Sequence, residues 1–236
     1  MVTWFRRARP RAGVPTITPR SEAIEVARVE LAELTPTPER YLGQTAYLTL
    51  VLFENLGRAV TAAPTTDAKS RLTRAAAEML AAHEGLVAEL SARHDDPVVE
   101  MDPFRLPLDD FQRRTQGADW FEILVTCYVT AGFLTDFFIG LSAGLPNSLQ
   151  RRVEALLTIS DGEAVLVSEL RSAIDASPRL ASRLAMWGRR LVGDTMLVAR
   201  SALQQGGQLP EEKIEPVFTE LIAAHTRRMD TLGLTA

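Results

Sequence analysis

The amino-acid sequence predicts an all-α protein built around four long helices. Apolar residues recur in steps of three and four through several long stretches, the spacing of one helix face. No stretch sustains the period of two that marks a half-buried strand. Two stretches open on a hydroxyl residue followed by proline, Thr37-Pro38 and Ser177-Pro178. There the hydroxyl can cap, and the proline sits where its missing N–H is not needed.

In chain order, residues 1–20 hold five arginines, three prolines and no acid, and read as a flexible basic arm with Trp4 and Phe5 as anchors. A short helix is expected over 21–34. The first long helix runs from Pro38 to about Ala63, where Pro64-Thr-Thr-Asp stops it and begins the next. The second, about 67–93, carries a clean seam of Leu72, Ala76, Met79, His83, Leu86 and Leu90. The proline-interrupted segment up to Gly117 reads as an extended crossover. A third long helix is expected over about 118–143, with shorter ones over 148–157 and 161–176, the latter opened by the capping box Ser160/Glu163. The fourth long helix runs from Pro178 to about Gln204 with the stripe Leu180, Leu184, Trp187, Leu191, Asp194 and Val198, and Gly206-Gly207 ends it. A last helix starts near Pro210. Four long helices with a long crossover between the second and third describe a ferritin-like bundle with extra short helices and a C-terminal helix. Residues 21–236 are expected to form this one domain, with its core bundle at about 38–205.

Bulk composition agrees with one domain: 236 residues, 46% hydrophobic and 24% charged. A net charge of −4 argues against a whole-surface nucleic-acid binder. The one cysteine, Cys127, rules out an intrachain disulfide, and a reducing, cytoplasmic setting is the simplest expectation. The basic opening residues reach no apolar run, so no secretory leader is expected. Residues 123–141 just reach membrane-spanning length, but Asp136, two glycines and several threonines favour a buried bundle helix over stable membrane insertion.

Charge inside a bundle is costly unless it pairs, hydrogen-bonds or ligates, so the inward-facing polar residues are the candidates for function. Glu54 lies in the apolar run Leu48-Thr-Leu-Val-Leu-Phe-Glu-Asn-Leu; the competing reading pairs it with Arg58 one turn on. His83 lies on the seam of the second helix, where a lone histidine more often bonds within the core than ligates. On the third helix Glu122 and Asp136 share a face. Glu122 also suits the helix start, and Asp136 could bond nearby threonines. Asp194 falls on the stripe of the fourth helix, with Arg190 one turn earlier as an ionic partner. Cys127 has no cation near it in sequence and reads as a buried, inert thiol. No phosphate loop or nucleophile elbow is present, and three histidines are too few for a typical zinc cluster.

Four blocks carry a family resemblance: Tyr41-Leu-Gly-Gln-Thr-Ala-Tyr-Leu, Ala82-His-Glu-Gly-Leu-Val, Gly117-Ala-Asp-Trp-Phe-Glu and Ala185-Met-Trp-Gly-Arg-Arg-Leu-Val-Gly-Asp. They resemble actinobacterial ferritin-like proteins grouped with the tRNA hydroxylases that act on 2-methylthio-isopentenyl-adenosine. The resemblance implies a non-haem di-iron centre built from two helix glutamates and two Glu-x-x-His pairs. Glu54 would stand for the first glutamate and His83 for a histidine, with Asp136 or, alternatively, Glu122 as the third-helix carboxylate. The glutamate expected three residues before His83 is Leu80, and the last-helix pair reads Leu191 and Asp194. A mixed site of Glu54, His83, Asp136 and Asp194, for iron or manganese, is what the resemblance leaves.

Two functions follow as expectations. One is a bundle with a degenerate di-iron site that serves as a scaffold or binds a ligand or partner. The other is a metal-dependent hydroxylase acting on modified tRNA, and whether the chain is an enzyme stays open at this point. Phe133, Phe137, Phe138 and Trp187 would supply apolar surface for self-association, and the arginine-rich arm would contact a separate partner.

Overall fold

The structure, a computed structural model, describes residues 31–158, 161–204 and 211–235. The expected arm at 1–20, most of the 21–34 helix, Ser160 of the capping box and the Gly206-Gly207 stop lie outside the described residues. Among the described residues eight α-helices follow one another after the helical turn at 31–33: α1 (Pro38–Ala62), α2 (Thr66–Ser91), α3 (Pro97–Arg114), α4 (Trp120–Leu141), α5 (Asn147–Leu157), α6 (Asp161–Ala176), α7 (Pro178–Gln204) and α8 (Glu211–Thr231). No strand occurs among the described residues, and the protein is an all-α, ferritin-like bundle.

The local signals explain most helix boundaries. Thr65 caps α2 by accepting from the Ala68 N–H at 3.1 Å, and Asp119 caps α4 by accepting from Glu122 N–H at 3.0 Å. Thr37 occupies the N-cap of α1, yet its hydroxyl makes no capping bond, so the start there rests on Pro38 at the first helical position.

The largest departure is α3. The segment expected to be an extended crossover is a helix of 18 residues with Pro103 and Pro107 inside it. Asp96 accepts from the Val98 N–H at 2.9 Å and Pro97 takes the first position. Both internal prolines are exposed, while Phe104, Leu108 and Phe111 at i, i+4 and i+7 are buried on α1 and α7. That apolar stripe outweighs the two lost backbone bonds.

α4 sits at the centre, as its composition requires: Leu124, Val125, Val129, Leu134 and Phe137 are all fully buried. It is long and apolar enough to cross a membrane, but here it is covered by α1, α6, α7 and α8. The helix pairings close two adjoining circuits that share α1 and α4. One runs α1–α2–α6–α4 and the other α1–α3–α7–α4. α2 is therefore faced by α6, and α7 packs on the other side of α4, which bears directly on the expected site. Phe133, Phe137 and Phe138 are at most 1% exposed, and Trp187 donates its ring N–H to Thr126 Oγ1 at 3.0 Å. Of the residues expected to offer surface for self-association, the three phenylalanines are thus buried within the chain and Trp187 is half-buried.

The block around Tyr41 serves packing. Tyr41 donates its hydroxyl to the Phe138 carbonyl at 2.7 Å and meets that ring edge-on, with centroids 5.8 Å apart. Gly43 lets the backbones of α1 and α3 touch: a Cβ there would lie 2.3 Å from the Glu100 carbonyl oxygen. Gly43→Val is expected to cost about 1–3 kcal/mol or more by forcing α3 away. Denaturant unfolding, with proteolysis mapped to α3, checks this.

Candidate functional site

The expected site residues do not gather. Glu54 is exposed and accepts from Gln112 Nε2 at 2.9 Å, on the outer side of α1. The inward position belongs to Asn55, which is only 5% exposed. One residue on a helix is a rotation of about 100°, and the buried set Leu48, Val51, Leu52, Asn55, Leu56 and Ala59 follows the stripe that passes through 55. The expected Glu54–Arg58 pairing is indirect, because Gln112 lies between them and accepts from Arg58 Nη2 at 3.3 Å.

His83 is half-buried and donates Nδ1–H to the Ala46 carbonyl of α1 at 2.8 Å, which leaves Nε2 as the acceptor of the neutral ring. Asp136 bonds no threonine; its Oδ2 meets Arg228 Nη2 of α8 at 2.7 Å. Glu122 does what its place at a helix start favours. Its Oε2 accepts from the Ala118 N–H at 2.8 Å, and Oε1 lies 3.4 Å from Arg183, which also pairs with Asp119. Asp194 takes Arg114 of α3 as its cation, at 4.0 Å, rather than the expected Arg190, which lies over the Trp187 ring.

Each carboxylate thus has its own partner, and His83 and Asp194 stand on helices that lie on opposite sides of the α1–α4 layer. Among the described residues no three His, Cys, Asp or Glu side chains gather as a cation site. Iron or manganese in a dinuclear centre needs several carboxylates and imidazoles converging on one point. The residues present do not fit that group.

What the first circuit encloses instead is a cavity of about 210 Å³. Leu52 and Leu56 of α1, Met79 of α2, Cys127 and Ala131 of α4 and Leu166 of α6 give it an apolar wall. Burial pushes the Cys127 thiol up to about 12, so it stays protonated there as a small apolar group. One end is polar. The Arg228 side chain is 15% exposed and its Nε and Nη1 find no hydrogen-bond partner among the described residues. It lies against Gly132 so closely that a Cβ there would be 2.1 Å from Nε. The Tyr128 hydroxyl, its pKa raised mainly by burial, donates to the Arg228 carbonyl at 3.4 Å. An apolar cavity of roughly 150 Å³ is enough for benzene, so this one has room for a somewhat larger apolar body beside the polar end, where Asp136, Glu163 and Arg228 line it. Arg228 and Gly132 escape sequence reading because their meeting depends on how α8 docks on α4.

A family model described as a ferritin-like domain of actinomycetes matches residues 39–210, well over half of the chain. A search of curated proteins finds no match.

Proposed function

We propose, for a chain that belongs to the family of actinomycete ferritin-like domains, a binding role in which the bundle interior holds a small, largely apolar molecule. The observation that carries this reading is the 210 Å³ cavity inside the α1–α2–α6–α4 circuit, with two Arg228 donors that have no partner among the described residues at its polar end. Apolar residues at Leu80 and Leu191, where a di-iron relative would place glutamates, support it. In this reading the di-iron site is degenerate and the bundle acts as a scaffold around its guest. The five arginines of residues 1–20 would offer a contact for an acidic partner.

Ligand binding to the native state raises stability by about 2.7 kcal/mol at a hundredfold excess over Kd. Toluene and indole are therefore expected to raise the melting temperature saturably. Ala131→Phe, which fills the cavity, should remove that response while the far-ultraviolet circular dichroism stays helical. No shift with any apolar probe of this size would end the reading.

A second reading, a metal-dependent hydroxylase acting on modified tRNA, is favoured by one observation. The bond from His83 Nδ1–H to a backbone carbonyl is the outer contact that metal-bound imidazoles make. Stoichiometric iron or manganese in protein prepared anaerobically with metal, lost in His83→Ala, would put this reading first.

A further inference from the structure

A second chamber opens between the C-terminal half of α1, the α3–α4 connection and the start of α4, with a volume of about 310 Å³. It shares no lining residue with the apolar cavity. Asn55 and Arg58 reach it from α1, three residues apart and so on one side of the helix. Asn55 is 5% exposed, and its Nδ2 has no hydrogen-bond partner among the described residues. Arg58 spends Nη2 on Gln112, while its buried Nη1 is without a partner among them. Burying a donor unpaired is costly, and more so for a charged one. Two such donors lining one chamber call for a guest that accepts hydrogen bonds.

The charge distribution narrows the guest. Among the described residues no acidic side chain lines the chamber. The neighbouring carboxylate, Glu54, is turned to Gln112 and lines the outer side of Arg58 with Gly57 and Thr61. The two threonine hydroxyls of the lining are already committed as donors: Thr115 Oγ1 gives to the Phe111 carbonyl at 2.8 Å and Thr126 Oγ1 to the Thr115 carbonyl at 3.0 Å. What is left is a guanidinium N–H and an amide N–H with no carboxylate among the described residues lining the chamber beside them. Charge-assisted bonds to an oxyanion are about twice as strong as neutral ones, so an anionic guest gains more here than a water.

We infer that this chamber is a binding site for a small oxyanion, a carboxylate or phosphate group, held by Arg58 Nη1 and Asn55 Nδ2. The remaining volume gives room for the body of a small metabolite that bears the group.

The test uses the full chain at low ionic strength, titrated calorimetrically with inorganic phosphate and separately with benzoate, against sodium chloride at matched ionic strength. Saturable binding of either probe is expected, and the one that binds tells which head group the site takes. Asn55→Leu and Arg58→Gln should each weaken it by about tenfold or more. Asn55→Asp, which supplies an internal carboxylate to Arg58, should abolish binding and raise the melting temperature of the unliganded protein. The Asn55 side-chain amide resonances of the unmutated protein should shift on titration, a readout that does not depend on any variant folding. Absence of saturable binding by both probes, or binding that leaves the Asn55 amide unmoved or survives both substitutions, overturns the inference and leaves the chamber to water. Neither result bears on toluene or indole binding in the other cavity.

Discussion

Phe137→Ala is expected to destabilise the protein by about 3–5 kcal/mol, the range for removing a fully buried aromatic ring. Phe137 is 0% exposed on the central helix and meets Phe138 edge-on with centroids 5.1 Å apart. Phe138 in turn is held by the Tyr41 ring and receives the Tyr41 hydroxyl at its carbonyl. The lost ring therefore removes transfer free energy and leaves a void that α1 and α4 cannot both close. For a chain of this size the loss is roughly 6–20 °C in melting temperature. Leu106→Ser is the matched control, because Leu106 is 66% exposed and surface changes usually stay within about 0.5 kcal/mol. Equal melting temperatures for the two variants would show that the α1–α4 contact does not hold the bundle together.

Acid should weaken the fold through His225. This residue of α8 is 3% exposed, and neither ring nitrogen has a hydrogen-bond partner among the described residues. Burial, with a smaller contribution from the neighbouring Arg228 cation, lowers its pKa from the ordinary 6.5 to about 4. The unfolded chain takes up this proton more readily than the native one between those two values. The stabilising contribution is thus complete above about pH 6.5, declines as the pH falls, and is gone below about pH 4. Across that whole window it amounts to about 3 kcal/mol. Glu89, whose carboxyl is held below its usual range first by Arg152 and then by Arg93, titrates lower in the scale. Chemical denaturation at pH 7.5 and pH 5 separates the two. His225→Phe should flatten the slope between these pH values, and an unchanged slope would assign the acid sensitivity elsewhere.

The parts of this fold that can be read from sequence are those written locally. Leu72, Ala76, Met79, Leu86 and Leu90 are buried where the seam of α2 puts them, with His83 half-buried among them. The start of α7 falls at Pro178 as the cap signal requires. Glu54 was one position away from the inward place because an apolar run on several sides leaves the helix phase ambiguous, and only the wider stripe through Leu48, Asn55 and Ala59 resolves it. Pro103 and Pro107 concealed α3, since a proline reads as a breaker wherever it falls, while both here stand on the exposed face. The pairing of Asp136 with Arg228 and the placement of α6 against α2 depend on how distant helices dock, which no periodicity records. The ferritin-like, actinobacterial part of the resemblance agrees with the family model over residues 39–210, but the residues matched to a metal centre have separate partners in the folded chain.

Cys127 gives this bundle a clock of its own. The sole thiol of the chain lies 2% exposed at the wall of the inner cavity, and only its deprotonated form attacks a disulfide reagent. In the closed state it is both hidden and protonated, so its labelling rate counts the moments when α4 loses its cover. A molecule that fills the cavity beside it should slow that count, whereas an oxyanion at Asn55 and Arg58 should change it only as far as it stabilises the whole fold. One reaction at one sulfur can thus time the breathing of the apolar cavity without a further cysteine having to be introduced.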